Sequence, residues 1–545
     1  MKKKLLSLML AVLMLAAIML MTACGQTEDT SAEKQAEEGA SDEIEQIIGC
    51  ESVDFESFDI LGSNDSQGFY YHSPNVYETL VRYEGGKIAP CLAESWKING
   101  NECVFNLRQD VKFTDGSAFN AEAVKMNFDM IKSHYAELFS YIGTIAKLQS
   151  VEAVDEYTVK LIFDTPYYAV LQDLTASFPG GIMSPKVFEN GNIPYVNTFD
   201  ATYGTGPYKL STGESEKGKY YTFVRNEDYW GEKAGAKKYI VKIIPDIDAR
   251  MMALRTGEVD FVLGERMISQ DAFSQFKSEK DFEVKLSEER ARTRNLLLNT
   301  SRELLSDLNV RKAIQYGTNK SEIIENILYA MEEKADYLLD PGLPYCDVKV
   351  EPYNYDKTRA EQLLEEAGWV RPEGKRIREK SGKPLALQMI YRSGYGSEEN
   401  VVQAFQAQME DIGIDVKITG YEMMAWYGKG LEGEFDITVN DTYGLPFDPH
   451  TFISPMKDYG LDYPAQQGLS MKGEIDAKIT RMFETVDSKE LQNIYSYILT
   501  TLHEQAVNVP VSYPKEIVIF NKNKISDVRF NGIPNFTEVK GMSFK

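Results

Sequence analysis

The chain has 545 residues, too many for one compact core, so two or three domains are expected. Hydrophobic residues at 43% and aromatic residues at 11% exclude a disordered chain. A formal net charge of -24 disfavours nucleic acid and anionic membrane surfaces as partners, because both would repel it.

The chain begins with Lys2, Lys3 and Lys4, followed by an apolar run from Leu5 to Met21 without a charge. This is the pattern of a secretory signal peptide. The run closes on Met21-Thr22-Ala23-Cys24-Gly25, which resembles a bacterial lipobox, with Met at the first position where Leu is usual. On that reading residues 1–23 are removed, and Cys24 becomes the new N-terminus and carries lipid. An ordinary signal peptide or a single membrane anchor is the alternative, although the run is marginal against the roughly 20 residues a span requires. Residues 24–46 are acidic and lack aromatics, as a flexible tether would. No later segment approaches membrane-spanning length.

From Ser52 onward strands and helices mix. Tyr77 to Tyr83 leads into Gly85-Gly86, a hairpin signal. Cys103–Leu107 reads as a strand, with a turn at Asp115-Gly116. Apolar residues recur at helical spacing from Ala121 to Ser133, and a strand pair surrounds Asp155-Glu156 between Val151 and Phe163. Tyr239 to Ile244, Asp246 to Thr256 and Val259 to Leu263 read as strand, helix and strand, the unit of an α/β sheet, with Gly257 ending the helix. The second half continues in this style. Strands are expected at Asn295–Asn299, Leu385–Tyr391, Asp415–Thr419, Pro510–Tyr513 and Glu516–Phe520. Helices are expected at Asn309–Tyr316, Lys320–Leu328, Thr358–Ala367, Glu399–Ile412 and Lys489–Val507.

The usual catalytic signatures are absent. There is no HExxH, no phosphate-binding loop and no GxSxG elbow. Four histidines occur, His72, His134, His450 and His503, and no two sit at clamp spacing on one helix. Apart from Cys24, the cysteines Cys50, Cys91, Cys103 and Cys346 have no CxxC spacing, which leaves no support for a zinc knuckle or redox motif. Cys91 and Cys103 flank a hairpin and are able to pair, but buried free thiols are the favoured reading. Carboxylates are abundant, so an extracellular glycosidase stays as a competitor from another class.

Several stretches carry a family likeness: Val76-Tyr-Glu-Thr-Leu-Val81, Leu92-Ala-Glu-Ser-Trp96, Gly204-Thr-Gly-Pro-Tyr208, Arg225-Asn-Glu-Asp-Tyr-Trp-Gly231, Leu254-Arg-Thr-Gly-Glu-Val-Asp260 and Glu366-Ala-Gly-Trp369. On them the chain resembles the family 5 extracellular solute-binding proteins, which serve ABC importers for peptides and nickel. Phe447-Asp-Pro-His450, Ala465-Gln-Gln-Gly468 and Leu502-His-Glu-Gln-Ala506 look more like the nickel branch than the peptide branch. The resemblance implies a two-lobed α/β fold of the periplasmic-binding-protein kind, type II, in its large three-subdomain form. Lobe I would hold residues 47–286 plus 513–545, with an inserted subdomain at about 84–200, and lobe II residues 287–512. The two hinge crossings would fall near Leu286–Arg292 and Pro510–Lys515. No chemistry and no cofactor are implied. The transported ligand would be Ni(II) or a related divalent metal, held by a small chelator such as histidine. A di- or oligopeptide is the alternative. The partners implied are ABC permease and ATPase subunits, with the receptor a monomer, lipid-anchored at the outer face of a Gram-positive-type membrane.

The same resemblance nominates site residues. Tyr443 and Phe447 match positions of cleft aromatics, and Tyr70 and Tyr71 border the cleft in relatives. Thr537 sits in a matching Thr-Glu. Arg392, at a strand end, and Arg294, beside the first crossing, are candidates for meeting a carboxylate. The nickel branch's histidine and chelate-binding arginine would fall near Gly460 and Phe178–Gly181, where this chain has neither. His72 and His450 are therefore the replacement candidates for a metal shell, while His134 and His503 read as structural or exposed.

Overall fold

The computed structural model describes residues 43–61, 68–191, 201–395 and 397–545. The leader, Cys24 and the tether up to residue 42 lie outside the described residues. The range expected for a tether, residues 24–46, overlaps the strand Ile44–Glu51, which sets Ile44 opposite Ala236 and Gln46 opposite Lys238 in parallel register. Ile44, Ile47, Ile48 and Cys50 supply the strand's apolar residues, a signal that the acidic composition of the preceding residues obscures.

Four larger sheets organise the molecule. A four-stranded sheet joins Ile44–Glu51, Ala236–Ile243, Tyr220–Arg225 and Tyr208–Leu210. A second four-stranded sheet, antiparallel throughout, joins Ala93–Asn99, Glu102–Leu107, Thr158–Phe163 and Leu148–Asp155. The hairpin Val81–Glu84 to Lys87–Pro90 turns on Gly85 and Gly86, both at positive φ, as the glycine pair predicts. A three-stranded sheet places Lys515–Asn521 between Phe261–Leu263 and Phe282–Arg290. The second half builds a six-stranded sheet around Arg294–Leu298, Ile437–Val439 and Ala386–Arg392. Together these sheets and their helices form a two-lobed α/β fold.

The chain changes sheets twice. Strand Phe282–Arg290 belongs to the three-stranded sheet and Arg294–Leu298 to the six-stranded one, so residues 291–293 make the first crossing. Strand Asn508–Tyr513 returns through Pro514 to Lys515–Asn521, the second crossing. Between strands 236–243 and 261–263 the helix Ile247–Arg255 forms as expected, capped by Asp246, whose side chain accepts the Ala249 N–H. Its two strands do not share a sheet, however. Phe261–Leu263 pairs antiparallel with the returning strand Lys515–Asn521, and touches Ile44–Glu51 through the Asp260 N–H to Ile48 oxygen bond of 2.7 Å.

Each lobe has its own core. In the first, Phe55 stacks on Tyr221 at 4.6 Å and packs edge-on to Phe58 and Phe69. In the second, Val401, Val402, Phe405 and Met409 of helix Glu398–Ile412 cover Leu387 and Met389. Helix Ser488–Glu504 buries Leu491, Ile494, Tyr495, Ile498, Leu499 and Leu502, one helical face. Each such fully buried side chain contributes roughly 1.5–3 kcal/mol. The four described cysteines are free and buried, so Cys91 and Cys103 do not pair.

Candidate ligand cleft at the crossings

A cavity of about 480 Å³ opens beside the two crossings. Its walls come from both lobes. The short helix Gly68–Asn75 contributes Tyr70 and Tyr71, and the C-terminal loop contributes Asn535 and Phe536. From the second lobe, helix Met423–Leu431 contributes Trp426 and Tyr427. The loop after strand Ile437–Val439 adds Asn440, Asp441, Tyr443 and Phe447. Arg392, the last residue of strand Ala386–Arg392, lies on the same wall. These strands run parallel, so their carboxyl ends meet at the cavity, the usual ligand position of such sheets.

The wall is aromatic. Tyr70 meets Tyr71, Phe178 and Phe536 with ring centroids 4.8–5.2 Å apart. Arg266 lies over the Tyr71 ring at 3.8 Å and donates to Glu51, which fixes that ring as a platform. Met423, Tyr427, Tyr443 and Tyr459 are exposed large side chains that all line this one cavity. Apolar surface left uncovered inside a concave site marks a binding surface.

The cavity floor is ionic. Arg292 on the first crossing donates to Glu265 at 2.6 Å, and its Nε lies 3.7 Å from Asp441. Arg392 donates to Glu398 at 2.6 and 2.8 Å and to Asp441 at 3.1 Å. Its guanidinium also lies over the Tyr395 and Trp426 rings. Burial would raise the Asp441 carboxyl, but Arg392, Arg294 and Arg292 hold it below the usual carboxylate range. Asp462, also on the wall, is pushed up to about 6 by burial, against hydrogen bonds from Asn440 and Gln466. Glu516, just past the second crossing, rises to about 7 through burial, although it accepts the Asn535 N–H at 2.7 Å.

The structure divides the nominated residues. Tyr70, Tyr71, Arg392, Tyr443 and Phe447 line the cavity. His72 does not: it is buried behind the platform, Nδ1 2.8 Å from the Tyr239 hydroxyl and Nε2 3.4 Å from Glu51. His450 is buried too, with Nε2 2.7 Å from Asp173, whose other oxygen accepts the Thr144 N–H. Neither histidine lines the cavity, and each ring nitrogen so engaged is turned to a partner inside the fold. Arg294 faces inward, bonded twice to Glu332 at 2.7 and 3.1 Å and once to Glu265 at 2.7 Å. Thr537 is held through its backbone, its N–H on the Tyr71 oxygen and its carbonyl on Asn75 Nδ2. Neither of these reaches the cavity wall. Sequence reasoning missed Arg292, Asp441 and Trp426. Arg292 at a crossing and Asp441 just past a strand end carry a positional signal, whereas Trp426, on helix Met423–Leu431, carries none.

A two-lobed α/β protein with an aromatic cleft at its crossings is a solute-binding protein. Residues 87–461 match the model of the bacterial extracellular solute-binding proteins, family 5, and the chain belongs to that family. It is similar to the nickel-binding periplasmic protein of Escherichia coli, 36% identical over 469 residues, 85% of this chain and 88% of that one. Among solved structures it is similar to NikA from Brucella suis in complex with Fe(III)-EDTA. There the TM-score is 0.86 at 34% identity, covering 92% of this chain and all of the other. It is also 26% identical over 493 residues to the probable D,D-dipeptide-binding periplasmic protein of Escherichia coli, 88% of each chain. Two of these relatives are named for what they bind, nickel and D,D-dipeptides.

Proposed function

We propose that the protein captures nickel, or a related divalent metal, as a chelate with a small molecule such as histidine. It would then present the loaded form to its ABC permease. The supporting observation is the composition of the cavity wall. It has aromatic faces, two arginines and two aspartates. Among the described residues no group of three or more His, Cys, Asp or Glu is placed to hold a metal. A metal entering this cavity has to bring its own donors, as a chelate does. The likeness to nickel-binding relatives points the same way. Closure of the two lobes over the chelate would be stabilised by ligand contacts to both, which makes the closed form the one recognised. Lipid attachment at Cys24 would keep a monomeric receptor at the outer face of a Gram-positive-type membrane. Mass spectrometry of the mature N-terminus tests that part.

A short peptide is the second reading, favoured by the dipeptide-binding relative. Calorimetry with nickel plus excess histidine, nickel alone, and di- to pentapeptides separates the two. The chelate reading expects heat only in the first titration. Tight peptide binding with no response to nickel and histidine would replace it.

A further inference from the structure

We infer that the cleft sorts its ligands by charge: it accepts neutral or cationic chelates and turns away anionic ones, with Asp441 and Asp462 setting the sign. This deepens the chelate reading of the same site and rests on it.

Among the described residues four charged side chains line the cavity: Arg292, Arg392, Asp441 and Asp462. Both arginines are already matched from behind. Arg392 is shared between Glu398 and Asp441, and Arg292 is held by Glu265. Arg294, deeper still, is matched by Glu332 and Glu265. Three guanidinium groups thus face the four carboxylates Glu265, Glu332, Glu398 and Asp441, so no guanidinium charge is left unmatched, even though burial raises the Glu398 carboxyl. Arg266 behind Tyr71 adds nothing to the sum, because Glu51 neutralises it. Asp462 adds a further negative group, which accepts from the neutral amides of Asn440 and Gln466. Burial raises Asp462 to about 6, so it is largely ionised at neutral pH.

The remaining wall acts in the same direction. Tyrosine, tryptophan and phenylalanine faces carry negative charge density and attract cations. An anion in this cavity would meet ring faces and an excess of carboxylate, with no unmatched guanidinium charge to compensate. In a site of low dielectric such a mismatch reaches about ten-fold or more in affinity. Nickel with two histidinates is neutral and with one is a cation, whereas nickel with EDTA is a dianion.

The test titrates the full protein with nickel plus excess histidine and with nickel-EDTA, followed by the same titrations of Asp441→Asn and Asp462→Asn. The expected result is at least about ten-fold tighter binding of the histidine chelate, with the gap narrowing in each variant as the EDTA chelate gains affinity. Asp441 sits in the ion network, so its variant is first checked for folding by circular dichroism. Asp462, bonded to two neutral amides, supplies the second test. Nickel-EDTA binding as tightly as the histidine chelate to the unchanged protein would overturn the inference. If no nickel chelate binds, the chelate reading fails on its own, and the charge rule is read from dipeptides of matched size. Alanyl-lysine binding more tightly than alanyl-glutamate would uphold the rule. Equal or reversed affinities, or no binding of either, would overturn it.

Discussion

Arg294→Met provides a direct test of how the crossings are held. Arg294 is 2% exposed and opens the strand Arg294–Leu298, immediately after the first crossing. It joins Glu265, from the first lobe, to Glu332, which precedes the short strand Glu333–Lys334 of the six-stranded sheet. Removing the guanidinium deletes three charge-assisted hydrogen bonds. Glu265 keeps Arg292, but Glu332 is left buried and accepting from the Ser512 hydroxyl. Breaking a buried pair from one side costs about 3–5 kcal/mol, mostly from the carboxylate left behind. Adding Glu332→Gln removes that orphaned charge and should restore about 2 kcal/mol. Urea denaturation followed by far-ultraviolet circular dichroism measures both variants. A loss below about 1 kcal/mol in the single variant would refute the reasoning. Lost ligand affinity at undiminished stability would return Arg294 to the ligand set.

Gly444 lies in the loop that carries Asp441, Tyr443 and Phe447, at φ +80°, and a Cβ there would meet the Ala291 carbonyl oxygen at 2.3 Å. Gly444→Ala should therefore cost more than about 2 kcal/mol and weaken ligand binding; a stable variant with full affinity would show that the loop does not rest on the crossing. Asp462 gives a pH signature. Its folded value of about 6 lies above the ordinary 3.8, so the folded state binds more protons between those values, and stability falls as pH rises through about 4 to 6. Asp462→Asn should flatten that interval and gain up to about 3 kcal/mol at pH 8; an unchanged pH profile would exclude burial as the cause. Of the four tryptophans, Trp426 alone lines the cavity. Trp426→Phe should remove most of the ligand-dependent change in intrinsic fluorescence, and persistence of that change would place the ligand elsewhere.

The elements were largely legible because local signals carried them. Gly85-Gly86 marks its hairpin, Asp246 caps its helix, and the Leu491 to Leu502 stripe defines the long helix near the C-terminus. The pairing of Phe261–Leu263 was not legible, since its partner Lys515–Asn521 lies about half the chain away and periodicity carries no partner identity. The same limit governed the site. Tyr443 and Phe447 were found through motif likeness. His72 reads like a ligand in Phe69-Tyr-Tyr-His72, yet the short helix Gly68–Asn75 turns it to Tyr239 and Glu51 and away from its neighbours Tyr70 and Tyr71. Asp441 resembles any other loop carboxylate in sequence. Its position among three arginines exists only once residues 292, 294 and 392 are brought together.

Anomalous scattering at the nickel absorption edge, from crystals grown with nickel and excess histidine, tests the central claim most directly. The account predicts one strong nickel peak inside the cavity bounded by Tyr71, Trp426 and Tyr443, with histidine supplying its donors. A peak held by His72 or His450, or an extended peptide filling the cavity with no nickel peak, would contradict it.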